Sequence, residues 1–455
     1  MLLIKAHRSL LFFLLSFALA NSQLTISPYI YFSFNKDSDM YRELDTPISS
    51  IRFGGEFTYT KNKLRLKSNI SYNLFNGSNI LPDDFRREQG LGKIETNPGL
   101  NSSQFNYFES LLFLDYSFNN FEVYTNISSP EWGDGISKTI LSGKTPPYFN
   151  MGYIWEINDK ITYEHMYGKL VSLIPDSSLS HIYDTEYRDS YFNRNIMAHR
   201  ISYDYSERIK FYLYEIIVYG GNREFEFYYA LPLVPFIPIQ TYLGDIDNDL
   251  ISIGLNYNIY KNAIIYFNLT IDEWTPPYTF NKDNKNWFVY QIGSEFKSML
   301  ADNDALRWEY IWSDYRVYRH RFDINNFYSY DYPMGFWAGP HSEHFFIDYT
   351  FNLGYFRLTL MYSDAKRGAL TSSMLDNQYS DNNYFNRYSN GYERKIINGI
   401  NLGFMKLEST ILNIGFNSIN WINPSFELNA NNDLSNKNII KNDYYINIKY
   451  HLKNE

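Results

Sequence analysis

Between positions 307 and 321 the chain carries Arg307, Glu309, Asp314, Arg316, Arg319 and Arg321. Arg307 and Glu309 are two apart, so on an extended strand they share one face. An arginine facing lipid at mid-membrane costs about 2–4 kcal/mol. If this strand crosses a bilayer, the pair therefore faces the interior. There it serves either as an ion-pair network that props a wall or as a polar path for an anionic ligand. Other constellations fail on geometry. Asp272 and Glu273 are neighbours ahead of Trp274, and His199 and Arg200 are neighbours too. Adjacent strand residues point to opposite faces, so neither pair can cooperate in acid–base work. His341 and His344 flank Glu343, but no cysteine or nearby third histidine completes a metal site. No Gly-x-Ser-x-Gly elbow is present. The expectation is a protein that is not an enzyme and uses no cofactor or metal.

The elements that must position these residues announce themselves by alternation. Leu64, Leu66, Ile70, Tyr72 and Leu74 oppose Arg65, Lys67, Asn69, Ser71 and Asn73. Ile251, Ile253, Leu255, Tyr257 and Ile259 oppose Ser252, Gly254, Asn256 and Asn258. Ile400, Leu402 and Phe404 repeat the pattern, as do Tyr444, Ile446, Ile448, Tyr450 and Leu452. A sheet between lipid and a wet lumen reads this way, and so does a sandwich. Connection lengths separate the two. Tight turns at Lys61-Asn62, Asn119-Asn120, Asn158-Asp159-Lys160, Ser206-Glu207, Lys261-Asn262, Gly354 and Glu408-Ser409 alternate strictly with long segments rich in Gly, Pro and Asn. These long segments fall near residues 35–48, 76–105, 130–150, 172–194, 220–249, 275–286, 318–343, 366–393 and 422–442. Short periplasmic turns and long extracellular loops are the pattern of an outer-membrane barrel. The fold class is therefore all-β: a transmembrane antiparallel β-barrel of about 18 strands, with 16 as the other count the alternation allows. Both chain ends fall on the short-turn side.

Composition agrees. The 455 residues have a net charge of −9, which argues against a nucleic-acid partner. Mean hydropathy is −0.40, and no run is long and apolar enough for a spanning helix. Cysteine is absent, which excludes disulfides, thiolate metal sites and a lipoprotein anchor. Residues 1–20 read as a signal peptide: Lys5, His7 and Arg8 precede an apolar Leu10–Leu19 stretch and Ala18-Leu19-Ala20, with cleavage at the latest by residue 22. One barrel domain then runs from 24 to 455, exported, integral to the outer membrane and dependent on barrel-assembly machinery. Tyr 44, Phe 35 and Trp 8 make the chain 19% aromatic. Most of these rings suit the girdles at the two membrane interfaces. Those left in loops, Trp132, Phe336 and Trp337 among them, either stack on sugar rings or pack loops together.

Several segments, in order, resemble the Wzi capsule-assembly family of outer-membrane barrels. They are Ser129-Pro130-Glu131-Trp132-Gly133-Asp134-Gly135 with Leu141-Ser142 and Pro146-Pro147; His199-Arg200-Ile201 with Glu215, Tyr219-Gly220-Gly221 and Tyr229-Ala230-Leu231-Pro232-Leu233; Asp272-Glu273; and Trp308-Glu309-Tyr310 with Tyr318-Arg319-His320 and Gly335-Phe336-Trp337-Ala338-Gly339-Pro340. Asp134, Leu231 and Phe336 depart from the family pattern, which has Pro, Asn and His there. The resemblance covers about half the chain. It implies an occluded 18-stranded barrel that binds or displays capsular or related surface polysaccharide. On that reading Trp132, His320, Phe336 and Trp337 are the expected polysaccharide contacts, with exposed loop rings, and Arg307 and Glu309 are lumenal support. The alternatives are a passive porin-type channel and an outer-membrane hydrolase.

Overall fold

The computed structural model describes residues 23–40, 47–77, 83–92, 104–178, 181–183, 186–188, 190–274, 277, 279, 286–377, 385–404, 409–424 and 438–452. The signal-peptide reading of 1–20 lies outside the described residues.

Eighteen strands form one sheet. The first nine are β1 (Gln23–Asn35), β2 (Ile48–Lys61), β3 (Leu64–Asn76), β4 (Gln104–Phe118), β5 (Phe121–Ser128), β6 (Tyr148–Asn158), β7 (Ile161–Pro175), β8 (Tyr191–Asp204) and β9 (Ile209–Gly221). The second nine are β10 (Asn248–Tyr260), β11 (Ala263–Glu273), β12 (Trp287–Lys297), β13 (Ala305–Ser313), β14 (Ser342–Leu353), β15 (Phe356–Gly368), β16 (Tyr392–Phe404), β17 (Thr410–Ile422) and β18 (Asn438–His451). Each pairs antiparallel with the next. The sheet closes where Tyr29–Asn35 of β1 runs against His451–Tyr445 of β18. Closure removes both edges, which hydrocarbon cannot solvate. Helix is nearly absent among the described residues: α1 (Phe236–Leu243), α2 (Ser372–Asp376) and one 3₁₀ turn at Asp323–Asn325.

The strand count is therefore 18 rather than 16, and the loop parity holds around the ring. At one end the chain reverses within a few residues, helped by Asn62, Asn119 and Gly354 at positive φ. At the other end lie the long connections. The alternation also sorts as the sequence suggests. On β3, Ile70 and Leu74 are exposed on the outer wall while Ser71 and Asn73 are buried inside. On β10, Ile253 and Tyr257 face out while Leu250 and Ser252 are buried. Tyr444 and Tyr450 of β18 continue the outer apolar belt. A band of large apolar side chains on the convex face of a closed sheet fits hydrocarbon, not water.

Removing residues 443–455 deletes every rung between β1 and β18. Each orphaned backbone group in hydrocarbon costs several kcal/mol. The truncated chain should lose the heat-modifiable band on semi-native gels; its retention would refute the closure described here.

Candidate functional site

The lumen is occupied by its own loops. The connection 129–147 drops inward from β5, and its tip is gripped by the wall. Glu309 on β13 is fully buried and faces the lumen. Its carboxylate accepts the Ile136 N–H at 2.8 Å and the Ser137 N–H at 3.0 Å, together with the Tyr266 hydroxyl at 2.9 Å. Gln291 on β12 donates to Glu309 at 2.8 Å and to the Ser137 carbonyl at 2.6 Å. The Gln291 carbonyl accepts the Thr139 hydroxyl at 2.9 Å. Gly135 lies at φ +91, and a Cβ there would collide with Glu309, Gln291 and Tyr266. Only glycine lets the backbone come this close.

A second connection, 314–341, is fastened from the opposite side. Arg194 on β8 points inward and donates to the carbonyls of Ile324 at 2.7 Å, Asp323 at 2.9 Å and Tyr328 at 3.0 Å. The Tyr318 N–H donates to Asp272 at 2.6 Å, and the Tyr318 hydroxyl accepts the Phe336 N–H at 2.9 Å. A third connection contributes Phe85, whose carbonyl accepts the Lys395 ammonium at 2.6 Å. Lys144, inside the plug, donates to the carbonyls of Arg86 and Glu88. Burial, with Arg86 adding to it, lowers its pKa to about 7. Together these loops and the inner faces of the strands bury one apolar cluster that includes Trp132, Ile140, Val317, Phe336, Trp337, Ile196 and Val218.

This corrects the expectation of exposed rings. Trp132, Phe336 and Trp337 retain 4%, 0% and 6% of their surface. They pack the plug, because a lumen this wide offers loop aromatics more apolar area inside than outside. Trp132 lies beside Tyr214 and beneath the Arg200 guanidinium. Arg200 itself pairs with Glu164 in the lumen at 2.6 Å. His320 is half-buried at the long-loop end; its N–H donates to Asn326, and its Nδ1 accepts the Phe322 N–H at 3.2 Å. Burial and the adjacent Arg321 push the imidazole down to about 4. Arg307 faces the lumen on the short-turn side of the plug, paired with Asp348. Of the six sequence-named residues, the plug unites Trp132, Phe336, Trp337 and Glu309, leaving Arg307 and His320 outside its core.

Clefts remain around the plug. On the short-turn side, one of about 450 Å³ is lined by Glu131, Trp132, Tyr124, Asn126 and Glu164, and one of about 240 Å³ by Asp134, Lys138, Tyr266 and Arg307. At the long-loop mouth a smaller cleft of about 90 Å³ lies between Asp84, Arg319, Tyr328, Asp331, Trp337 and Arg367. Arg367 is held bidentately by Asp84, at 3.0 and 2.9 Å, and by Glu393 at 2.9 Å. Arg319 stacks over the Tyr328 ring, 5.1 Å from its centre. The Trp337 indole N–H and Arg319 Nε are buried, with no hydrogen-bond partner among the described residues. Burial and nearby Asp84 raise the Asp331 carboxyl. A buried donor without an acceptor costs about 1–3 kcal/mol. Two beside an aromatic face suit a ligand rich in hydroxyl or carboxyl oxygens. Sequence reasoning missed Arg194, Gln291, Asp84 and Asp331, while Tyr328 is among the loop aromatics it reads as able to stack on sugar. For Arg194 a signal existed: a cation sharing its strand face with Ile196 and Ala198.

No protein-family model matches the sequence, and no curated protein does. Solved structures do. One is described as Wzi, an outer-membrane protein involved in group 1 capsule assembly in Escherichia coli and a carbohydrate-binding β-barrel. It aligns with a TM-score of 0.56 at 11% identity, over 94% of this chain and 85% of that one. OccAB4 of Acinetobacter baumannii aligns with a TM-score of 0.49 at 10% identity, over 94% of this chain and 98% of that one. The fold is that of outer-membrane β-barrels.

Replacing Glu309 by Ala strands two plug N–H groups and the Tyr266 hydroxyl, at about 1–3 kcal/mol for each buried group left unpaired. The wall keeps its hydrogen-bonded ladder. Planar-bilayer recordings of Glu309→Ala should therefore show opening events that the parent lacks. Identical quiet traces would mean that the carboxylate does not hold the plug.

Proposed function

We propose that this protein is an exported outer-membrane barrel that binds a surface polysaccharide at the mouth of its plugged lumen, in the manner of capsule-assembly barrels. The observation that carries this reading is the plug itself. An empty 18-stranded barrel would hold an aqueous channel, whereas here three loops bury an apolar cluster across the lumen. A passive channel has no use for that cluster. A binding protein does, because rigid loops present fixed donors at lower entropic cost. The long-loop end is then extracellular and the tight turns periplasmic. The neighbour described as a carbohydrate-binding barrel supports the same direction, as do the ordered Wzi-like segments, several of which build the plug. No catalytic step is assigned.

The contacts assigned to the glycan are Arg319, Tyr328, Asp331 and the edge of Trp337, around the mouth cleft. Each hydrogen bond to a sugar oxygen contributes about 0.5–1.5 kcal/mol. A repeating polymer spanning many barrels multiplies weak contacts by avidity. Trp337→Ala is an unsuitable test, since emptying a buried indole site costs about 3–5 kcal/mol of stability. Arg319→Ala combined with Asp331→Asn leaves the cluster filled. Cells carrying that double variant should assemble the barrel normally yet release surface polysaccharide into the medium. Full retention by a normally assembled variant would remove the mouth cleft as the binding site.

A further inference from the structure

Except at its end, where Asn325 of the plug donates to the Ile246 carbonyl at 2.6 Å, the connection 222–247 does not join the plug. It folds back down the outside of the barrel wall. Register fixes the side: Arg200, Tyr214 and Glu164 share the lumenal face, so the alternating partners His199, Glu215 and His165 face outward. The connection covers them. Leu233 N–H donates to the Tyr163 hydroxyl at 3.1 Å. Glu215 accepts the first two N–H groups of α1, Phe236 at 2.8 Å and Ile237 at 3.3 Å, and its other oxygen meets His199 Nε2 at 2.8 Å. Phe236 stacks on the His199 ring at 4.4 Å. Tyr229, Phe236 and Ile239 pack against the outward side chains Met197, Ile217 and Tyr219. At its root, Arg223 pairs with Asp247, and the Tyr229 hydroxyl donates to the same carboxylate at 2.6 Å.

The opposite surface of this flap is apolar. Phe227, Leu231, Leu233, Ile237 and Tyr242 expose 77%, 47%, 49%, 48% and 74% of their area. Residues 227–243 carry no charged side chain at all, unlike the other long loops. Within 314–341, by contrast, Phe322 is the one large hydrophobic that is comparably exposed. The flap surface runs directly onto the outer belt of the same wall, where Phe211, Leu213 and Ile253 are exposed. A patch of this kind on a water-facing loop would promote association. Continuous with a lipid-facing wall, and without charge over residues 227–243, it matches acyl chains.

We infer that residues 227–243 form a membrane-embedded flap whose outer surface contacts the acyl chains of the bilayer, and which seals the outward His199–Glu215 pair from lipid. This rests on the barrel spanning a membrane, and the test separates the two claims. The chain has no cysteine, so single substitutions give unique labelling positions. Nitroxide labels at Leu231→Cys and Ile237→Cys are placed on the full-length protein in phospholipid vesicles. Ile253→Cys on the bare wall and Ser373→Cys in α2 serve as references. Both substituted flap residues are exposed, and heat-modifiable migration checks assembly of each variant. The ratio of oxygen to nickel-chelate collisions at 231 and 237 should match that at 253 and exceed that at 373 several-fold. Flap values equal to those at 373, with 253 remaining lipid-like, overturn the flap assignment alone. A water-like value at 253 overturns the membrane-spanning reading and the flap with it. Spin–spin broadening that vanishes on dilution with unlabelled protein would show that a second copy of this chain covers the surface instead of lipid.

Discussion

Closure of the sheet at β1 and β18 is the constraint from which the remaining structure follows. In hydrocarbon a strand edge has no solvent to satisfy it, so the ladder must return on itself. Once 18 strands do so, the enclosed space is too wide for wall side chains to fill. The chain solves the second problem with its own loops. Those loops bring backbone N–H and C=O groups into an enclosed site, and each needs a partner. The wall supplies them from a few positions: Glu309 and Gln291 on one side, Arg194 on the other. These lumenal groups hold the plug in place.

Much of this was legible. Side-chain period set the strands, and the two classes of connection set sidedness and number, because a barrel sorts its turns by membrane face while a sandwich does not. The opposed orientation of His199 and Arg200 also follows from period alone. The burial of Trp132, Phe336 and Trp337 was not legible. A loop aromatic reads the same whether it meets a ligand or its own wall. The deciding fact is the apolar lumenal surface offered by Ile196, Val218 and Val289, and that surface exists only after closure.

A signal for the plug is nevertheless written into β8 and β9. Several strands, β3, β10 and β18 among them, alternate between apolar and polar residues. On β8 and β9 the alternation lapses: Ile196-Met197-Ala198 and Ile216-Ile217-Val218-Tyr219 are apolar on both faces. In a water-filled barrel one of those faces would be wasted. In a barrel wall such a run means that the inner face is covered as well, since lipid alone accounts for an apolar outer face. The inner side chains enter the plug cluster and the outer ones enter the cluster under the flap. On these two adjacent strands both faces are covered by loops, and there the wall is three layers thick.

That sector also explains how charge can stand on the outer wall. A carboxyl group such as that of Glu215, facing lipid unaided, would be expensive. Beneath the flap it accepts two helix N–H groups and faces His199, so its lone pairs are used and hydrocarbon is excluded. The dependence runs both ways. The N-terminus of α1 has no side-chain cap of its own, since Pro235 precedes it. A helix of only eight residues is not stable by itself in water. The wall carboxylate supplies the missing cap and favours the positive end of the helix dipole. Neither the outward charge nor the short helix is tolerable alone, and each provides what the other lacks.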